Sequence, residues 1–272
     1  MKKIAIILAL LLGVTGVALA EEEGALENMK KDKTGTNPVN FQREARVYNE
    51  YQVLNTLGDG HQNISTLELR APFLDGKWQY RLRLRGVSLQ SDTNGDGDDN
   101  IDESGFGDLD MRFLTVPYMD TSKMQAMALG LEVFVGSASE DVLGSGTTSL
   151  GPQVFYAWFF KRGMFAPGLQ YKFSVYEDDG RSDTEQILID LNFLVMAKDK
   201  LSWFFTDPQI VFDLENSKTL AIIDLEVGAM MNKFTDSKAF AGHSVYIRPS
   251  IGAGQDRSMD YSVEAGYKIV GF

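Results

Sequence analysis

Two residue types that often carry chemistry are scarce here, since the 272 residues include no cysteine and only two histidines, His61 and His243. Without cysteine the chain can form neither a disulfide framework nor a lipid-anchored N-terminus. His243 directly precedes Ser244, and adjacent strand residues point to opposite faces, so these two side chains cannot readily form a catalytic dyad. These absences disfavour an enzyme and predict that no cofactor is required.

Long apolar runs are also missing beyond residue 20. Before that point, two lysines, the apolar residues 4–12 and the Ala-Leu-Ala of residues 18–20 follow the order of a secretory signal peptide. A membrane-anchoring helix would need about 20 apolar residues, whereas Gly13 and Gly16 interrupt this shorter run. The sequence therefore predicts a cleaved signal peptide at residues 1–20 and a secreted mature chain.

Negative charge exceeds positive charge, because 38 acidic residues stand against 26 basic ones, for a net charge of −12. Removal of Lys2 and Lys3 with the signal peptide makes the net charge −14. Such a chain is not expected to bind nucleic acid, whose phosphates are held by lysine and arginine. The acidity fits a solvated surface, and it also fits external loops beside a lipopolysaccharide layer held together by divalent cations. On the second interpretation, outer-membrane lipid and lipopolysaccharide are the expected partners.

Apolar and polar residues alternate with a period of two along much of the mature chain, as in strands rather than helices. In residues 218–232 the odd positions from 221 to 231 are apolar, while the even positions include Asp224 and Glu226. Residues 78–90 and 184–197 repeat this pattern. Each segment thus has one apolar and one polar face, as a barrel strand between lipid and lumen does.

About twelve such segments occur, each about 10 to 14 residues long. Soluble strands average about 5 or 6 residues, whereas a membrane-crossing strand needs about 9 to 11. The sequence therefore predicts an all-β fold, a transmembrane antiparallel up-and-down β-barrel of about 12 strands over residues 43–272, in the outer membrane of a Gram-negative bacterium. The expected strand starts are Arg43, Ile64, Trp78, Gly107, Met124, Ser149, Met164, Thr184, Leu201, Lys218, Phe240 and Asp260.

The predicted connections alternate between short polar turns and longer loops, the asymmetry expected between the periplasmic and external sides of a barrel. An even number of strands leaves both termini on the periplasmic side. Short turns are predicted at residues 74–77, 120–123, 161–163 and 198–200, and longer loops at residues 57–63, 91–106, 136–148 and 177–183.

The two ends of the mature chain carry separate predictions. Residues 21–42 are polar, contain Gly35 and Pro38 and show no sustained alternation. They are expected to form a periplasmic N-terminal extension, and their composition favours a disordered leader over a plug of the lumen. The last residue, Phe272, is of the type on which outer-membrane barrels commonly end, and it predicts recognition by the barrel-assembly machinery.

The polar face of the predicted strands is rich in charge, and in a barrel this face lines the lumen. One interpretation is an eyelet, in which an arginine ladder on one wall faces carboxylates on another and sorts solutes by a transverse field. The other is a lumen filled by salt bridges, because a barrel of this strand number has limited internal space. The candidate lumen residues are Arg70, Arg81, Arg83, Arg85, Asp108, Asp110, Arg112, Asp224, Glu226 and Arg248.

Residues 92–103 match the twelve-residue calcium-loop pattern D-x-[DN]-x-[DN]-G-x5-E. In such a loop, carboxylate and carbonyl oxygens ligate the ion, Gly97 allows the turn and the final glutamate supplies two oxygens. Asp99 stands where a hydrophobic residue usually bridges paired loops, and the flanks are predicted strands. The prediction is therefore a lone external Ca²⁺ loop, with an acidic solvated loop as the alternative. The candidate ligands are Asp92, Asn94, Asp96, Asp98 through its carbonyl, and Glu103.

Two short segments, SGFGDL at residues 104–109 and GSGTTSLGP at residues 144–152, resemble the MetA-pathway phenol-degradation family of outer-membrane proteins, as do the strands that follow them. This resemblance covers most of the mature chain. It implies a transporter-type barrel for small molecules, including aromatic or hydrophobic ones, and it transfers no catalytic residues. The predicted function is an outer-membrane channel for passive passage of a small-molecule solute. The alternative is a structural or surface-interaction barrel with a closed lumen, whose acidic loops bind calcium or lipopolysaccharide.

Overall fold

The computed structural model describes residues 34–55, 60–92, 101–178, 180–181 and 183–272. The predicted signal peptide and residues 21–33 of the predicted extension lie outside this part of the chain. None of the helices within the described residues is long or apolar enough to cross a membrane.

Twelve strands form the described structure, and three of them consist of two segments separated by a short break. The undivided strands are β1 (Glu44–Leu54), β2 (His61–Phe73), β3 (Trp78–Ser91), β5 (Gln125–Val135), β6 (Thr147–Phe160), β7 (Gly163–Glu177), β8 (Glu185–Met196), β11 (His243–Ala253) and β12 (Met259–Val270). The divided strands are β4 (Ile101–Phe106 and Leu109–Asp120), β9 (Ser202–Thr206 and Gln209–Asp213) and β10 (Lys218–Asp224 and Glu226–Met230).

The sheet closes on itself. Each strand pairs antiparallel with the next along the chain, and β1 pairs with both β2 and β12. Tyr48 on β1, for example, lies between Thr66 on β2 and Gly266 on β12. A closed sheet leaves no row of backbone N–H and C=O groups unpaired at an edge. The predicted antiparallel barrel of about 12 strands is confirmed.

Side chains alternate between the outside and the lumen along these strands, as the period-two pattern predicts. Val47 and Val227 on the outside are 59% and 56% exposed, whereas Glu68 and Lys268 on the inside are fully buried. The outer surface is therefore apolar and the inner surface polar, the reverse of a soluble sandwich and the arrangement of barrels that face lipid.

Aromatic rings cover the outer face beside the turn between β6 and β7. Trp158 stacks on Phe165 with the ring centroids 5.9 Å apart, and Phe160 stacks on Phe193 at 5.8 Å. All four rings are exposed by about two fifths of their surface. Amphipathic aromatic side chains at this level are typical of the boundary between the apolar band and water.

Two connections depart from the predicted alternation of short turns and long loops. On the loop end, β9 joins β10 through only residues 214–217, a tight turn in which the Asn216 N–H donates to the Asp213 carboxylate at 3.0 Å. On the turn end, β10 joins β11 through residues 231–242, which include two short 3-10 helices.

Heat-modifiable migration tests the closed sheet. The purified mature chain is expected to resist unfolding in SDS without heating and to run as a compact species, because every strand is held on both sides by its neighbours. After boiling, it should migrate at its full molecular mass. Identical migration before and after boiling, in a sample refolded into micelles, would contradict the closed barrel.

Candidate functional site in the barrel lumen

The first charged cluster surrounds Glu68, which has no exposed surface. The register places Arg46 on β1 and Arg83 on β3 directly opposite Glu68 on β2. The Glu68 carboxylate accepts from Arg83 Nε at 2.6 Å and lies 2.6 Å from Arg70 Nη2 and 3.8 Å from Arg46 Nε. Three arginines thus share one buried carboxylate: adjacent-strand pairing brings Arg46 and Arg83 to it, and Arg70 follows Glu68 by two residues on the same face of β2.

The second cluster surrounds Asp110 on β4, which is also fully buried. Its carboxylate accepts from Arg81 at 3.2 Å, is ion-paired with Arg85 and lies 3.8 Å from Arg83 Nη1. Arg81 is also ion-paired with Glu132 on β5. The arginine ladder of β3 therefore lies within a belt of carboxylates supplied by its neighbouring strands.

The third cluster lies on the other side of the barrel around Glu226 on β10. This buried carboxylate accepts from Trp203 Nε1 at 2.7 Å and from Lys268 Nζ at 3.0 Å, and it is ion-paired with Arg248. Arg248 also lies 3.6 Å from Asp224. Lys268 has no exposed surface, so its charge is neutralised entirely within the lumen.

These contacts combine features of the two interpretations of the lumen. The arginines of β3 pair with carboxylates beside them rather than across the lumen, as salt bridges that fill a lumen would. The walls nevertheless differ in their predominant charge. Arginines predominate on β1 to β4 (Arg46, Arg70, Arg81, Arg83, Arg85 and Arg112), and carboxylates on β8 to β12 (Asp190, Asp207, Asp224, Glu226 and Glu264).

Three charged side chains outside these clusters each have one buried atom without a hydrogen-bond partner among the described residues. Arg112 on β4 has no ion pair within 4 Å among the described residues, and its buried Nε has no hydrogen-bond partner there. The buried Oδ1 atoms of Asp190 and Asp207 likewise have no hydrogen-bond partner in the described part of the chain. Arg112 and Asp190 are close enough to interact electrostatically. Buried polar atoms are usually satisfied, so these three atoms are among those left to meet water or a solute.

Asp108 takes a different position from the other candidate lumen residues. It lies in the break of β4, where its carboxylate accepts from the N–H groups of Ser137, Ala138 and Ser145 at 3.1, 3.2 and 2.7 Å. The Ser145 hydroxyl donates to it at 2.7 Å. Asp108 thereby fixes the loop between β5 and β6, whose buried Leu143 packs beside the inner wall.

The described part of the N-terminal extension lies inside the turn end of the barrel. Arg70 Nη1 donates to the Gly35 carbonyl at 2.8 Å, and Lys268 Nζ donates to the Thr34 carbonyl at 3.2 Å. Val39 is buried in an apolar cluster with residues of the barrel wall. For residues 34–42, the expectation of a disordered leader is therefore wrong, and these residues occupy the lumen as a plug would. The polar composition favoured a leader. It could not reveal these hydrogen bonds, because Arg70 and Lys268 lie far along the chain from Gly35 and Thr34.

The lumen is apolar at this same end, which the sequence analysis missed. There, inward residues of β4 to β10 form an apolar cluster instead of continuing the charged face. The signal was present in segments where both parities are apolar, such as residues 158–160 and 203–205. The principal members are Leu114, Phe155, Met164, Leu194, Trp203, Phe205 and Met230.

A cavity of about 940 Å³ opens at the turn end of the lumen. Asn37 of the N-terminal extension forms part of its lining. The apolar part of the lining comprises Met124, Phe159, Met164, Leu194, Met196, Leu201 and Met230, and the basic part comprises Lys161, Arg162, Lys198 and Lys200.

The calcium-loop prediction falls mainly outside the described residues, which include Asp92 and Glu103 but not Asn94, Asp96 or Asp98. Glu103 is an exposed residue of β4 that pairs with β3. Among the described residues, no group of three or more histidine or acidic side chains is placed to hold a metal ion. The calcium site stays a prediction based on spacing.

The two histidines form hydrogen bonds with different partners. His61 Nε2 is 2.9 Å from the Gln90 side chain, and His243 Nδ1 is hydrogen bonded to the Tyr267 hydroxyl. Ser244 is fully buried on the inward face, opposite to the face of His243. The two neighbours of a possible dyad therefore lie on different sides of the barrel wall.

Comparison with solved structures places the chain among outer-membrane β-barrels by fold. A crystal structure of an outer membrane channel from Pseudomonas putida F1 matches with a TM-score of 0.67 and 11% identity, covering 86% of this chain and 96% of the channel. The NanC porin matches at 0.54 and 12%, covering 85% and 98% of the two chains. Outer membrane phospholipase A from Escherichia coli matches at 0.43 and 11%, covering 92% and 98%. No family model and no curated protein matches the sequence.

Substitution of Glu68 tests the lumen network. Glu68→Gln leaves Arg46, Arg70 and Arg83 close together without their shared carboxylate, and loss of one partner from a buried ion cluster costs about 3 to 5 kcal/mol. We expect a clearly lower urea midpoint for unfolding in micelles. Glu140→Gln, at an exposed loop position, is the control and should unfold like the wild type. Equal midpoints for both variants would show that the cluster contributes nothing to stability.

Proposed function

We propose that the chain is an outer-membrane channel of a Gram-negative bacterium for the passive passage of small molecules. The observation that carries this proposal is a cavity of about 940 Å³ that opens at the turn end of the closed barrel. Arg112, Asp190 and Asp207 add charged side chains to the wall, each with one buried atom that has no hydrogen-bond partner among the described residues. Rings or walls of such charges are how pores distinguish solutes.

The two segments that resemble the MetA-pathway phenol-degradation family support a shared architecture within this proposal. In the structure, Asp108 of the first segment accepts two hydrogen bonds from Ser145 of the second. The two motifs therefore act together to hold one loop at the mouth of the barrel. We infer that the chain is a barrel of that transporter type, with small solutes that include aromatic or hydrophobic ones.

A barrel with a closed lumen is the second candidate, and the N-terminal extension favours it. Residues 34–42 occupy the turn end of the lumen, and ion pairs fill much of the middle. In this alternative, the acidic loops bind lipopolysaccharide or Ca²⁺, and the barrel has a structural role. Both candidates need outer-membrane lipid around the apolar belt and the barrel-assembly machinery for insertion.

Planar-bilayer conductance distinguishes the two candidates when combined with a change at Gly35. Gly35 has a φ of +70°, and a Cβ added there would lie 2.3 Å from the Glu44 carboxylate. Gly35→Val should therefore displace the extension and raise the conductance of single channels above that of the wild type. Gly76→Val is the matched control, because Gly76 has a φ of +78° but open space around it.

The absence of current from both the wild type and Gly35→Val, in bilayers where a known porin conducts, would contradict the channel proposal. Equal conductance of Gly35→Val and Gly76→Val would show that the extension does not restrict the pore. Conductance that rises only in Gly35→Val would identify residues 34–42 as the restriction.

Reversal potentials in a KCl gradient test whether Asp190 and Arg112 act on permeating ions. Asp190→Asn should shift the permeability ratio toward chloride and Arg112→Gln toward potassium, because a unit charge 4 Å from a permeating ion contributes about 1 kcal/mol even at the dielectric constant of water. That energy corresponds to roughly a fivefold change. Asp141→Asn, whose side chain is fully exposed in an external loop, should change the ratio little. Unchanged ratios for both lumen variants would place the permeation path elsewhere.

A further inference from the structure

The turn-end cavity has an apolar lining that a water-filled pore does not require. Met164, Leu194 and Met230 form its buried base, and half-buried Phe159 and Met196 present apolar surface to it. Barrel interiors that conduct ions are ordinarily polar. An apolar wall inside the lumen therefore points to contact with the apolar part of a solute.

The rim of the cavity is basic and unpaired. Lys161, Arg162, Lys198 and Lys200 make no ion pair within 4 Å in the described part of the chain. The carboxylate of Asp199, which lies between two of the lysines, is already engaged, accepting from Leu201 N–H at 3.0 Å and Lys233 Nζ at 3.1 Å. These hydrogen bonds lower the pKa of Asp199 below its ordinary value. The rim thus offers cations whose counter-charge the barrel itself does not provide.

The N-terminal extension shows which chemistry this end of the lumen accepts. Its Thr34 and Gly35 carbonyl oxygens accept hydrogen bonds from Lys268 and Arg70, while its Val39 packs into the apolar cluster. An apolar body beside acceptor oxygens is therefore already accommodated next to the cavity. A free solute that combines these two features would find an apolar wall and cationic donors in the adjacent cavity.

We propose that this cavity binds amphipathic carboxylates, which are solutes with an aromatic or aliphatic body and one anionic head. The body would lie against the methionine and leucine side chains, and the methionine sulfur atoms also favour contact with aromatic rings. The head would meet the basic rim. The volume suits a small ligand, since binding pockets measure about 300 to 1,000 Å³. This inference rests on the proposed channel function and names its substrate class.

An anionic lipid has the same chemistry as such a solute, but the cavity favours the solute as its occupant. The base residues Met164, Leu194 and Met230 belong to the inward faces of β7, β8 and β10. A lipid tail on the outer surface would instead meet outward residues such as Phe165 and Phe193. The occupant we infer therefore reaches the cavity through the lumen or from its open turn end.

Isothermal titration of the full mature chain in phosphatidylcholine nanodiscs tests the proposal with 2-naphthoate as the probe. We expect saturable binding of one 2-naphthoate per barrel and no binding of acetate. Neutral 2-naphthol should bind about tenfold more weakly than 2-naphthoate, because it loses one ionic contact. Lys161→Gln with Lys198→Gln and Lys200→Gln should weaken naphthoate binding by about tenfold or more. Lys77→Gln, at an exposed turn outside the cavity lining, should leave it unchanged.

A second variant addresses the apolar lining. Met196→Asn should weaken naphthoate and naphthol alike, and heat-modifiable migration establishes that both the Met196 and the lysine variants are folded. Equal affinity of wild type and triple lysine variant, or of naphthoate and naphthol, would overturn the proposal. Loss of naphthoate binding when phosphatidylglycerol is added to the nanodiscs would assign the cavity to lipid and also overturn it.

Because titration does not require conduction, the two proposals fail separately. A barrel that conducts but does not bind 2-naphthoate contradicts only the substrate class. A barrel that binds 2-naphthoate but gives no current, even as Gly35→Val, contradicts only the channel.

Discussion

Closure of the backbone hydrogen-bond ladder is the constraint on which the other features of this barrel depend. In hydrocarbon, each unpaired N–H or C=O costs several kcal/mol, so a sheet that crosses a membrane must return to its first strand. The pairing of β1 with β12 does this along the whole of β1. Once closed, each strand has one face toward the outside and one toward the lumen, and register decides which inward side chains meet. Arg46, Glu68 and Arg83 form one row for this reason.

Burial of charge in a narrow lumen sets the second constraint. An isolated charge loses its hydration there, so most inward arginines and carboxylates pair with neighbours on adjacent strands. This pairing still leaves more arginine on one wall and more carboxylate on the other. Arg112, Asp190 and Asp207 each keep one buried atom without a hydrogen-bond partner among the described residues, and Arg112 of one wall interacts electrostatically with Asp190 of the other. Pairing therefore neutralises most of the inward charge, and a few charged atoms remain without a hydrogen-bond partner within the described part of the chain.

Alternation of residue type predicted the barrel, its strand number and the inward direction of most charged residues, because period two follows from strand geometry alone. Trp78 and Lys218 were placed at the first residues of β3 and β10. Ion-pair partners could not be predicted, since Arg83 reaches both Glu68 and Asp110 only through register. Asp108 was assigned to the lumen by parity, but the break in β4 directs its carboxylate to a loop. The calcium pattern at residues 92–103 remains a prediction.

The N-terminal extension links the charged and apolar halves of the lumen. Its carbonyl oxygens satisfy Arg70 and Lys268 at the edge of the charged belt, while Val39 covers apolar wall beyond it. Without the extension, Lys268 would retain Glu226 but lose an acceptor, and the apolar cluster would face water. The proposed amphipathic carboxylate has the same two features, acceptor oxygens beside an apolar body, but its head would meet the basic rim of the cavity rather than Arg70 and Lys268. The extension and such a solute would therefore lie side by side at the turn end, where Asn37 already lines the cavity.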